Sequence, residues 1–120
     1  MICIGYSHGA ALSLLATETM VAQYGERIKV SGYGFGCPRV VKGKLPSSIQ
    51  KNLESFTTVR NIPDLVTHLP PKIWGFRHVG LFEVGEVGTY GVIDAHRAEN
   101  YIKELAKLSK PTGFSYGIGG

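Results

Sequence analysis

The sequence is poor in cysteine, with only Cys3 and Cys37, and their separation fits neither a metal-ligand spacing nor a disulfide framework. Both read as small buried hydrophobes, which favours a reducing compartment such as the cytoplasm. No uninterrupted apolar run nears the roughly 20 residues a membrane-spanning helix needs, so a soluble chain is expected. Residues 1–4 lack the basic start and the length of a signal peptide. Cationic runs are missing as well. Thirteen Lys and Arg outnumber nine Asp and Glu, for a formal net charge of +4, but they are scattered and have no interleaved aromatic platform. No nucleic-acid partner is expected, and the charge is read as solvated surface.

What is present suits one small globular domain, since 120 residues at 43% hydrophobic can build a single core. A short apolar run at residues 2–4 stops at Gly5, and an Ala- and Leu-rich helix is expected over 8–24, ended by Gly25. A second strand is expected over 28–35, breaking at Gly36, Cys37 and Pro38. A short helix over 45–53, with Pro46 in its first turn, leads to a β-branched third strand at 56–60. Residues 77–84 suggest a fourth strand or hairpin arm. Asp94 is expected to open a last helix with Tyr101, Ile102, Leu105 and Leu108 on one face. Such alternation predicts an α/β fold, a mostly parallel sheet flanked by helices. Residues 109–120 show no periodicity and read as a flexible, Gly-rich tail.

The chemistry begins at Gly5-Tyr6-Ser7-His8-Gly9. This is the Gly-x-Ser-x-Gly pattern of a nucleophile elbow, where glycines relieve crowding in a sharp strand-to-helix turn. The serine hydroxyl then stands at a helix N-terminus, where the next backbone N–H and the helix dipole can stabilise a developing oxyanion. The pattern alone is weak in a chain with 16 glycines. Gly113-Phe114-Ser115-Tyr116-Gly117 matches it too. Only Ser7 has a strand before it and a helix after it, so Ser115 is read as a decoy. The plainer role for Ser7 is a helix cap.

A serine needs a base, and the base an orienting carboxylate, here in the chain order Ser, Asp, His. Asp64 follows the third strand, at the C-terminal edge where active-site residues of such sheets collect. It could instead be a turn aspartate after Pro63. His96 is expected at the start of the last helix, beside Asp94. His78 is read as structural, within a strand, and His68 as a loop residue.

Four stretches, 4–12, 34–40, 59–71 and 94–101, resemble in order and spacing the class 3 lipases, the family of fungal-type triacylglycerol lipases. The resemblance runs from residue 2 to about 108. It implies a partial α/β-hydrolase fold, with 1–108 as the C-terminal half of such a domain and the family's N-terminal strands, lid and second oxyanion donor missing. It also implies Ser7 as nucleophile, Asp64 and His96 as triad partners, and the backbone N–H of His8 as an oxyanion donor. His8 itself replaces a residue that is aliphatic in many relatives.

The activity implied is hydrolysis of acyl esters or lipids through an acyl-enzyme, with no metal and no cofactor. Two alternatives stay open: a non-catalytic α/β-hydrolase remnant, and a thioesterase or peptidase on the same fold. Self-association through an unpaired N-terminal strand is also expected.

Overall fold

The computed structural model describes residues 1–108; the tail expected at 109–120, with Ser115, lies outside them. Four parallel strands form one sheet in the order β1 (Ile2–Tyr6), β2 (Ser31–Phe35), β4 (Phe56–Asn61) and β6 (Leu81–Val84). Helix α1 (His8–Tyr24) crosses from β1 to β2, and α2 (Ser47–Asn52) precedes β4. A separate antiparallel ribbon pairs β3 (Val41–Lys42) with β5 (Phe76–Arg77). Helix α3 (Ala98–Leu108) closes the described chain. None of these helices is long and apolar enough to cross a membrane.

Side chains alternate across a strand, so β4 feeds two cores at once. Phe56 joins Leu14, Val41 and Leu53 on one face, while Val59 joins Val84 and Tyr101 on the other. Strand β4 is therefore covered on both faces, as an inner strand of a parallel sheet is expected to be.

Three expectations are corrected. The segment 77–84 is not one strand: β5 ends at Arg77, and β6 starts at Leu81, after a left-handed turn at Gly80. Asp94 does not open the last helix. It begins a separate 3-10 turn, Asp94–His96, and extended backbone at Arg97 interrupts the chain before α3. The buried face of α3 also differs, consisting of Asn100, Tyr101 and Glu104, whereas Ile102 and Leu108 are exposed. Hydrogen bonds accompany this rotation, because the Tyr101 hydroxyl donates to Asp64 beyond the end of β4 and the Asn100 amide to the Asp94 carbonyl in the 3-10 turn.

Strand β1 lies at the edge, with Ile2 65% and Ile4 67% exposed. Leu12 and Leu15 of α1 are also largely exposed.

Candidate active site

Ser7 sits in the turn between β1 and α1 with φ 57° and ψ −121°, the one non-glycine among the described residues with positive φ. Such a conformation strains an L-residue and persists only where its surroundings enforce it. The Ser7 N–H donates to the Phe35 carbonyl at 2.8 Å, and the Ala10 N–H returns to the Ser7 carbonyl at 3.0 Å. Gly5 makes the turn possible, since a Cβ there would stand 1.9 Å from the Gly9 carbonyl oxygen. Ser7 makes no side-chain cap to α1. Its Oγ lies instead 2.8 Å from His96 Nε2.

The other ring nitrogen, Nδ1, is 2.8 Å from Asp64 Oδ2. Asp64 is fully buried just past the end of β4, and its second oxygen, Oδ1, accepts the Val66 N–H at 2.9 Å. Asp64 thus serves the local turn and the histidine with different oxygens. The nearby carboxylates of Asp94 and Glu99 face Arg97 instead, at 3.4 and 3.5 Å. Gly36, at φ 64°, leaves room for this contact: a Cβ there would crowd the His96 ring at 3.1 Å and Asp64 Oδ2 at 3.2 Å.

Two tyrosines that sequence reasoning passed over complete the arrangement. Tyr101 donates its hydroxyl to Asp64 Oδ2 at 2.6 Å and accepts the Asn61 N–H at 3.0 Å. Burial, then the bond to Asp64, push this phenol far above its ordinary range, so it remains a neutral donor. Tyr6, an unspecified position of the elbow pattern, stacks on the His96 ring at 5.3 Å and 25°. Its hydroxyl donates to the His96 carbonyl at 2.5 Å. The buried Asn61 amide reaches the Ala95 carbonyl at 3.2 Å, and the Asn100 amide reaches that of Asp94 at 2.7 Å. Backbone carbonyls of three successive residues are thereby tethered, which fixes where the imidazole points. Tyr6 carried a sequence signal only as the neighbour of Ser7, and Tyr101, 37 residues from Asp64, carried none for this role.

His8 is the first residue of α1, so its N–H lies among the donors without an i−4 partner at a helix start. His68 and His78 serve the backbone: their Nε2 atoms meet the carbonyls of Ile62 at 2.9 Å and Thr67 at 2.6 Å. Burial holds the pKa of His78 below its ordinary value. His78 lies just beyond β5 rather than inside a strand. Among the described residues no cluster of His, Cys, Asp and Glu could hold a metal ion.

A strained serine thus stands on an elbow, with an imidazole between it and a buried carboxylate. Residues 1–74 match the model of the class 3 lipase family. The chain belongs to that family. It is similar to lipase II from Rhizopus niveus, with 30% identity and a TM-score of 0.56, over 70% of this chain and 32% of that one. Two further lipase structures share the fold. The mono- and diacylglycerol lipase from Aspergillus oryzae is 22% identical with a TM-score of 0.55, over 79% of this chain and 34% of that one. The lipase from Rhizopus microsporus var. chinensis is 23% identical with a TM-score of 0.53, over 94% and 43%. The chain thus spans about a third of the length of the Rhizopus niveus enzyme. No curated protein matches it. The fold is that part of an α/β-hydrolase which these lipases share with it.

Proposed function

We propose that this chain carries the catalytic triad of a serine ester hydrolase acting on acyl esters or lipids, with residues 1–108 forming the C-terminal half of its domain. The observation that supports it best is the continuous chain from Ser7 Oγ through His96 to the buried Asp64 carboxylate, each step 2.8 Å. In this reading His96 Nε2 takes the Ser7 proton as Oγ attacks the ester carbonyl. Asp64 holds the Nδ1–H tautomer and stabilises the imidazolium that forms. The oxyanion is met by the His8 N–H at the positive end of α1. His96 then returns its proton to the leaving alcohol. Water, activated by the same imidazole, releases the acid from the acyl-enzyme.

A fluorophosphonate probe tests the assignment directly, because it labels a serine only where a base activates it. Labelling should map to Ser7, vanish in Ser7→Ala and persist in Ser115→Ala. A folded chain that resists the probe would favour a non-catalytic remnant. Turnover of thioesters or peptides in preference to oxygen esters would move the substrate class and keep the triad. The exposed edge of β1 further supports self-association through that strand, read as a concentration-dependent rise in mass by light scattering.

A further inference from the structure

The ribbon of β3 and β5 stands apart from the parallel sheet, and neither strand contributes a residue to the site described above. The 3-10 turn Lys72–Trp74 leads into it and leaves two large apolar neighbours in water, Ile73 88% and Trp74 63% exposed. The charge around them narrows what could cover them. Lys72 belongs to the same turn. The Lys42 ammonium lies over the Phe76 ring, 5.4 Å from its centroid, and Lys44 follows two residues later. Arg77 Nε donates to the Gly43 carbonyl at 3.4 Å, tying the ribbon's ends together. The sequence has no Asp or Glu from residue 27 to 53, nor from 65 to 82. Lys42, Lys44 and Lys72 form no ion pair with any described residue.

Glu83, whose carboxylate feels Lys72, is itself paired with Arg60. Lysines outside any described ion pair around an exposed tryptophan and isoleucine match the two layers of a bilayer surface. Tryptophan prefers the headgroup level, an aliphatic side chain the acyl boundary just below, and lysine ammonium groups meet anionic headgroups. Nucleic acid would use the charges but has no place for Ile73. We propose that this face of the ribbon, centred on Lys42, Lys72, Ile73 and Trp74, docks on anionic lipid surfaces. The docking is separate from ester hydrolysis and does not depend on it.

Trp74 is the chain's single tryptophan, so its own emission reports the event. The full chain carrying Ser7→Ala, which cannot consume lipid through the proposed nucleophile, is titrated with two kinds of vesicle. One is phosphatidylcholine alone and the other is phosphatidylcholine mixed with phosphatidylglycerol. The mixed vesicles should shift Trp74 emission to the blue and shield it from a soluble quencher, the neutral ones should not, and high salt should reverse the shift. Replacing Lys42 and Lys72 together by Gln should weaken partitioning about 25-fold, at about fivefold per charge. Ile73→Ser should weaken it too, with an unaltered far-UV spectrum. Three results would overturn the proposal: no shift with anionic vesicles, an equal shift with neutral ones, or a shift that grows with protein concentration before vesicles are added. The last would mean that a second copy covers the patch.

Discussion

Strands β4 and β1 run parallel in the same sheet, and their exposures invert their polarity. In β4, between β2 and β6, Arg60 and Asn61 are 8% and 0% exposed. At the edge, Ile2 and Ile4 of β1 are 65% and 67% exposed, although they are far more apolar. Neighbours, not side-chain chemistry, set the difference. Polar groups can be buried in β4 because partners meet them: Arg60 pairs with Glu83 at 2.6 Å, and Asn61 binds Ala95 and Tyr101. Each such bond offsets desolvation that would otherwise count against burial, although Asn61 Oδ1 stays buried without a partner. Just beyond the end of β4, Asp64 is held by the Val66 N–H and the Tyr101 hydroxyl, with Oδ2 toward His96. Ile2 and Ile4 of β1 contribute little comparable, since most of each side chain lies in water.

The comparison breaks most readily at the core side of β4. Phe56→Ala removes a ring that is 1% exposed and should cost about 3–5 kcal/mol, read as a fall in the urea midpoint. A loss below about 1 kcal/mol would mean that β4 is less central than its burial indicates.

At the site end of the same strand, Tyr101→Phe keeps the ring and removes the hydroxyl shared by Asp64 and Asn61. We expect kcat for ester hydrolysis to fall about tenfold with KM unchanged, since a hydrogen bond to a charged group contributes about 1.5–3 kcal/mol and only part of it acts through His96. An unchanged kcat would reduce Tyr101 to packing.

Alkaline pH sharpens the picture from the loop after β2. Burial raises the Cys37 thiol from 9.0 to about 12. A raised pKa contributes stability that is fully present below the unfolded value and is lost as pH climbs towards the folded one, because only the unfolded chain gives up its proton. Stability should therefore decline between about pH 9 and 12, at up to about 1.4 kcal/mol per pH unit for this proton. Urea titrations at stepped pH should show Cys37→Ala declining less steeply at the start of that window. Equal slopes would assign the alkaline loss to other groups, Tyr101 first.

The smallest effect belongs to β1. Ile4→Thr should change stability by less than about 0.5 kcal/mol while lowering the concentration-dependent mass in light scattering. A large destabilisation would show that the edge is covered in solution.

How far the site was legible follows from how local its parts are. The elbow could be read because Gly5, Ser7 and Gly9 act within five residues and the strand and helix around them carry their own patterns. Asp64 and His96 could be picked out by chain order, and the structure sets them within hydrogen-bond distance of each other. Tyr6 and Tyr101 could not, as each matters only through a partner about ninety or about forty residues away. The split of 77–84 and the break at Arg97 were missed for the same reason. Gly80 looks like any strand glycine until β5 is seen to pair with β3, and Asp94 looks like a helix cap until Arg97 adopts extended backbone.

By itself the sequence determined what depends on neighbours along the chain: the strained turn at Ser7, the alternation of strands and helices, and the absence of a long apolar span. Tertiary structure decided what depends on neighbours across it. The register of β4 against β2 carries Asp64 to the C-terminal edge of the sheet beside the elbow, and the Tyr101 hydroxyl ties α3 to Asp64. The physical reason lies in range. Steric limits on φ and ψ and the periods of helix and strand act over a few residues, whereas a buried hydrogen bond exists only once two distant segments have excluded water together.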